Sequence, residues 1–190
     1  MDSEVPRVIG VSNMFSQDWP LTRTLVGLIK KRYPDAIIIL GGEHITATSE
    51  FCLKHFGPRT YCIEGEGEAT LVELLEALEQ QKDVHEVEGI SYLNEAGLYT
   101  QTGPRKRIKN IDDLPYPAWD LVPLEAYLSS GSGFGVNKGR NMPIVATRGC
   151  PYACSFCSNQ RMWSQRWIFR DPQKVVDEME HWIKTWRVNN

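Results

Sequence analysis

An α/β fold built on a parallel sheet is predicted by three observations. Residues 8–82 alternate strand and helix signals. Residues 36–40, AIIIL, are apolar throughout and mostly β-branched, which suits a strand buried on both faces. Residues 68–82, EATLVELLEALEQQK, carry Leu71, Leu74, Leu75 and Leu78 on one helical stripe, the kind that covers a sheet. Repeated strand–helix order with short connections argues for parallel strands and covering helices.

Taken in order, residues 8–12 form a short apolar run ending at Ser12. From Trp19 to Tyr33, Leu21, Leu25, Leu28 and Ile29 recur at helical spacing, and Pro34 stops the pattern. Residues 48–56 predict a short helix capped by Thr48 or Ser49, and residues 60–64, TYCIE, a further strand. Residues 87–103 read as a hairpin turning near residues 94–97, NEAG. The proline-rich 112–123 and glycine- and serine-rich 129–140 form a connector over a surface. Residues 142–147, MPIVAT, predict a strand, a cysteine-bearing loop follows, and Asp171-Pro172 opens a final helix.

Composition sets limits on function. Apolar residues make up 42% and charged residues 24%, so a real core can form. The net charge of −3 (21 − 24) gives no global field favouring nucleic acid or an anionic membrane. The run Arg105-Lys106-Arg107 reads as a solvated loop. No stretch approaches the ~20 apolar residues of a membrane span, and the first ten residues lack a signal peptide's basic start and apolar run. The expected compartment is the reducing cytoplasm, where clustered cysteines more often bind metal or do redox chemistry than pair.

In an open parallel sheet, ligands bind outside the carboxyl ends of the strands. Three loops leave such ends: SNMFSQDWP, with Ser12 and Met14; GGEHIT, with Gly41, Gly42 and His44; and EGEGEAT, with Gly65, Glu66, Gly67 and Glu68. Gly41-Gly42 offers a place where a bulky ligand can press on bare backbone. Each loop is also readable as a plain turn, with Glu66 and Glu68 favouring a helix N-terminus through its dipole. No G-x-G-x-x-G or Walker loop is present.

The most specific signal is Cys150-x3-Cys154-x2-Cys157. Thiolates suit zinc or iron–sulfur clusters. A structural zinc site needs four ligands, and the nearest downstream histidine, His181, lies 24 residues past Cys157. A cubane cluster on three cysteines would leave one iron open to a small molecule, while disulfide or purely structural thiols stand as the alternative. Cys52 and Cys62 read as small buried apolar residues.

The pattern Cys-x3-Cys-x-Phe-Cys, with Phe156 as its aromatic, resembles the signature loop of the radical S-adenosylmethionine (radical SAM) enzymes. The flanking TRGCPYACSFCS resembles one branch of that family, which carries an N-terminal cobalamin-binding domain. Ser12-Asn13-Met14, a 26-residue spacer and Gly41-Gly42 resemble the Ser-x-Leu and Gly-Gly elements of cobalamin domains, with methionine in place of leucine. GGEH, EGEGE, GISYL, IDDLPYPAWDL and EAYL are similar to further stretches of the same branch.

The resemblance implies a Rossmann-like, N-terminally incomplete cobalamin-binding domain over residues 1–88. It implies a hairpin and linker over 89–141 and the first βα unit of a partial (β/α)6 barrel over 142–190. It implies a 4Fe-4S cluster on Cys150, Cys154 and Cys157, S-adenosylmethionine on the open iron, and Phe156 packing beside the cluster. Ser12, Met14, Gly41, Gly42, His44, Gly65, Glu66, Gly67 and Glu68 would border the corrinoid. A flavodoxin or ferredoxin would supply single electrons. The reaction would be methylation or oxidative cyclisation of a small molecule that the sequence does not identify.

The 49 residues 142–190 cannot close a barrel, so the chain reads as a fragment, a truncated gene product or one piece of a longer enzyme. Little or no catalytic activity is expected of the isolated chain, and 5′-deoxyadenosine above background after anaerobic reconstitution and reduction would overturn that. Two other readings compete. One is a non-catalytic corrinoid-binding or interaction module with a vestigial cysteine loop. The other, a tRNA methylthiotransferase relative, ranks low, because only Cys52 and Cys62 are available upstream for a second cluster.

Overall fold

A computed structural model of the chain describes residues 5–130 and 139–189. It divides into two compact units, Met1–Arg107 with Cys150–Gln165, and Ile108–Gly149 with Arg166–Asn190. Of the glycine- and serine-rich connector, residues 131–138 lie outside the described residues.

The first unit is a five-stranded sheet in the order β1-β2-β3-β4-β5. Strands β1 (Val8–Ser12), β2 (Ile37–Gly41) and β3 (Thr60–Ile63) run parallel. The predicted hairpin, β4 (Ile90–Leu93) and β5 (Tyr99–Gln101), joins β3 antiparallel and extends the sheet. Asn94 Oδ1 accepts from the backbone N–H of Ala96 and of Leu98, each at 3.0 Å, and so shapes the turn. The central strand is covered on both faces, as its unbroken apolar run requires. Ile38 and Leu40 pack with helices α1 (Trp19–Arg32) and α2 (Glu43–Phe56). Ile37 and Ile39 pack with α3 (Gly67–Glu79).

Three helix expectations are corrected. In α1 the stripe Leu21, Leu25 and Leu28 faces solvent, while Thr22 and Val26 are buried and Ile29 half-buried. The roll has a polar cause: the buried Asn13 side chain donates to Thr22 Oγ1 at 2.6 Å, which partners its amide nitrogen only with Thr22 inward. In α3, Leu74 is fully buried and Leu78 half-buried, but Leu71 and Leu75 stay exposed. Helix α2 begins earlier than expected, at Glu43, and is two helical segments meeting at Thr48, so the second segment is the expected helix starting after Thr48. Thr48 is itself the kink (φ −137°, ψ 28°), where its hydroxyl donates to the His44 carbonyl at 2.7 Å. Cys52 and Cys62 are buried as read, and burial pushes both thiols up, so they stay protonated.

In the second unit, only Thr147 of the predicted strand 142–147 enters a strand. The two-residue β6 (Thr147–Arg148) pairs antiparallel with β7 (Ile168–Phe169). Helix α4 spans Leu124–Ser130 and α6 spans Pro172–Trp186, the latter capped as expected by Asp171, whose side chain accepts from Gln173 N at 2.7 Å. The interior holds an ion cluster that the sequence reading missed. Arg170 donates to Asp112 at 2.9 Å and to Glu178, and Glu178 also accepts from Trp182 Nε1 at 3.1 Å. Asp112 accepts in addition from Asp171 N at 2.7 Å.

On the surface of this unit, Arg140 forks onto Glu125 at 2.7 and 2.8 Å, and Ser129 Oγ donates to the same carboxylate at 2.7 Å. These bonds hold the Glu125 carboxyl at about 2, well below its ordinary 4.5. A depressed folded-state value stabilises above the unfolded value, and that stability fades as pH falls through the folded one. The expected result is that Glu125→Gln equals the parent in stability at about pH 2 and falls behind it as pH rises through about 4.5. Thermal melting of the two proteins across that range checks it.

Candidate functional site at the carboxyl edge of the sheet

Because β1, β2 and β3 run parallel, their following loops leave one edge. The register pairs Ser12 with Gly41, so two elements 29 positions apart in the chain (41 − 12) become neighbours at the strand ends. Asn13 N donates to Gly41 O at 2.8 Å and prolongs the ladder by one rung. Ser12 is exposed, as are Met14 (47%) and Phe15 (56%), which leaves apolar surface along the edge.

The two glycines differ. A Cβ on Gly41 would meet nothing within 4 Å, so its backbone is open to a ligand. Gly42 has φ +104°, and a Cβ there would lie 2.3 Å from the Asn13 carbonyl oxygen. Its missing side chain makes room for the neighbouring loop, not for a ligand. Gly42→Ala is expected to destabilise the chain by about 1–3 kcal/mol through the strained φ alone, with the clash adding to it. Gly41→Ala should be nearly neutral in stability, and urea denaturation of both variants tests the contrast.

His44 is buried, and both its ring nitrogens are engaged. Ser16 Oγ lies 3.0 Å from Nδ1, Thr48 Oγ1 lies 3.4 Å from Nε2, and the Trp19 ring packs at 5.3 Å. Thr48 uses its own proton on the His44 carbonyl, so it accepts from Nε2–H and leaves Nδ1 to accept from Ser16. Burial lowers the imidazole pKa, which favours this neutral form. His44 therefore ties the first loop to the first turn of α2.

At the third loop, Gly65 has φ +78°, and a Cβ on Gly67 would make only ordinary contact with Ile63. Glu66 is buried and pairs with Arg107 at 3.4 Å, whereas Glu68 is exposed. The basic run is thus not simply solvated. Arg105 forks onto Glu73 and donates to Thr70 Oγ1 at 2.7 Å, and Arg107 is held against Glu66.

The cysteine segment packs within this same unit. Ser158 Oγ donates to Glu43 Oε2 at 2.5 Å. Thr46 Oγ1 accepts from Gly65 N at 3.1 Å and donates to Met162 Sδ at 3.6 Å. Arg107 donates to the Trp163 carbonyl, and its guanidinium lies over the Trp163 ring at 5.7 Å. Between segment and edge is a cavity of about 570 Å³, bounded in part by Gly65, Glu66, Arg107, Arg161 and Met162. Glu43, Thr46, Arg107, Met162 and Trp163 were missed in the sequence, where the one available signal was a basic run and an acidic EGEGE of opposite charge.

Within the loop, Cys157 N donates to Cys154 O at 3.1 Å, and the Asn159 side chain donates to Cys150 O at 3.3 Å. Cys150 is half-buried, Cys154 and Cys157 are exposed, and Phe156 is 90% exposed. The loop carries all three thiols, but among the described residues no three His, Cys, Asp or Glu side chains are gathered closely enough to hold a metal. Three reachable thiols are nonetheless a donor set that suits an iron–sulfur cluster.

A three-strand parallel edge with bare backbone at Gly41 is where α/β sheets place ligand sites, and residues 1–75 match the family model described as the B12 binding domain. The chain is a homologue of the cobalamin-binding radical SAM proteins. It is 30% identical over 92% of its length to an uncharacterized methyltransferase of Pyrococcus horikoshii, covering 36% of that protein. It is 33% identical over 94% of its length to the anaerobic magnesium-protoporphyrin IX monomethyl ester cyclase of Rubrivivax gelatinosus, covering 31%. The chain spans about a third of the length of these relatives. Its fold is that of OxsB, a cobalamin-dependent S-adenosylmethionine radical enzyme solved with aqua-cobalamin and S-adenosylmethionine. That match has a TM-score of 0.79 at 22% identity and covers 96% of this chain and 24% of the other. The methyltransferase TsrM from Kitasatospora setae, solved with cobalamin and a [4Fe-4S] cluster, matches at a TM-score of 0.67 and 22% identity, covering 97% and 36%.

Proposed function

We propose that the carboxyl edge of the sheet binds a corrinoid and that the adjoining cysteine segment binds a 4Fe-4S cluster with one iron open to S-adenosylmethionine. The observation that carries this reading is that the Ser12–Gly41 edge and the Cys150–Gln165 segment lie in one compact unit, tied through Glu43, Thr46 and Arg107. Cys150, Cys154 and Cys157 would supply the thiolates, and Phe156 would fold in beside the loaded cluster. Ser12, Met14 and Gly41 would face the corrinoid directly. Gly42 and His44 would shape its floor, and Gly65, Glu66, Gly67 and Glu68 would border it at β3. When bound, these groups supply reductive cleavage of S-adenosylmethionine and methylation or oxidative cyclisation of a small molecule.

The protein's own part is to present bare backbone, keep His44 neutral and engaged, and hold the thiol loop against the edge. In chain order, residues 1–88 serve the corrinoid, 89–141 are hairpin and linker, and 142–190 begin the barrel. Segment 150–165 folds back on the first part. A flavodoxin- or ferredoxin-like electron donor and a cytoplasmic setting belong to the same reading. Among the described residues no helix is long and apolar enough to cross a membrane.

A second reading, a non-catalytic corrinoid module, is favoured by the thiols standing apart. Anaerobic reconstitution with iron and sulfide, followed by titration with cyanocobalamin, separates the two. Cobalamin binding with about four irons per chain supports the first; cobalamin binding without iron supports the second; no cobalamin binding defeats both.

A further inference from the structure

We propose that Arg107 is the positioning residue that docks the cysteine segment on the sheet edge and so couples the two cofactor sites; this rests on the reading above. Helix α5 (Asn159–Met162) has four residues, far too few to hold its own position, so its placement is imposed from outside. The ties from Ser158 to Glu43 and from Thr46 to Met162 both reach the first turn of α2. Thr46 also touches the loop after β3 through Gly65 N, and Arg107 adds the charged link between that loop and the segment. Its Nε faces Glu66 in the loop after β3, while Nη1 donates to the carbonyl of Trp163, which caps α5, and the flat face of the guanidinium lies over the Trp163 ring.

Both side chains of the Arg107–Glu66 pair are largely buried, at 16% and 5% exposure. A carboxylate that deep needs a cation beside it, so movement of the Glu66 loop is transmitted to Trp163 through a planar group. Guanidinium suits this double task and ammonium does not: it offers several donors in a fixed fork and stacks on an aromatic face.

Amide hydrogen exchange on the 190-residue chain, with and without cyanocobalamin, tests this. In the parent, cyanocobalamin is expected to slow exchange at residues 64–68 and also across 150–165. In Arg107→Met, exchange across 150–165 should rise by about tenfold or more. Cobalamin should still protect 64–68 but no longer 150–165, with β1–β3 unchanged. Arg107→Lys keeps charge beside Glu66 but cannot span to Trp163, so it should match the parent at 64–68 and the methionine variant at 150–165.

Unchanged exchange of 150–165 in Arg107→Met, or full cobalamin protection there, would overturn the proposal. So would parent-like behaviour of the lysine variant. If Arg107→Met unfolds, seen as fast exchange in β1–β3, Trp163→Leu leaves the Glu66 pair and the carbonyl bond in place, removes the ring contact alone, and must show a smaller rise in exchange confined to 150–165; parent-like exchange there rejects the idea. If cyanocobalamin protects nothing in the parent, the proposed function fails, and the cobalamin-free rise in Arg107→Met still decides whether Arg107 docks the segment.

Discussion

Alanine at Cys150, Cys154 or Cys157 is expected to reduce iron retained after anaerobic reconstitution from about four per chain to near none. Each position should matter equally, because two thiolates do not hold a cubane. The controls are Cys52→Ala and Cys62→Ala. Those thiols are buried, and desolvation keeps them protonated, so they are poor ligands and their loss should leave iron content unchanged. Zinc in place of iron would need a fourth ligand. Iron that survives any one of the three substitutions would remove the cluster from this loop. The thiols stand apart in the structure, so loading must draw Cys154 and Cys157 in from solvent. That movement should appear as slower alkylation of both thiols after reconstitution.

Arg170→Met is the substitution expected to cost the most stability, about 3–5 kcal/mol. It removes the guanidinium that Asp112 and Glu178 share, and their side chains are 6% and 4% exposed. Glu178 keeps its bond from Trp182 and Asp112 keeps its bond from Asp171 N, but neither neutralises a charge. Removing one member of a buried ion cluster is far worse than replacing all of it. A triple variant with Asp112→Leu, Arg170→Met and Glu178→Leu should therefore recover much of the loss. Urea denaturation followed at Trp182 measures both, and a loss below about 1 kcal/mol for the single variant would show the cluster to be solvated.

Elements whose patterns are local were readable in both units. The apolar run at 36–40, the turn at residues 94–97 and the Asp171-Pro172 helix start each act within a few residues, and all three formed. The errors fell where distant partners decide. Leu21, Leu25 and Leu28 have helical spacing, but Asn13 draws Thr22 inward. A helical segment does start after Thr48, but a further segment from Glu43 precedes it, because the φ of Gly42 suits the approach to Asn13. Residues 142–147 have strand composition, but only the end of the run finds a partner in β7.

The site divides along the same line. The sequence by itself determined its chemistry: three thiols in one loop, glycines after parallel strands, and the spacing from Ser12 to Gly41. Those are properties of residue type and short separation. Tertiary structure alone decided the neighbours. It set Ser12 beside Gly41, gave the space at Gly42 to Asn13, engaged both nitrogens of His44, and brought residues 150–165 back to the edge through Arg107, Thr46 and Glu43. The physical reason is that buried polar groups gain from a partner wherever the chain supplies one, and for the Asn13 amide nitrogen, Glu66 and His44 that partner lies nine to forty-one positions away in the sequence.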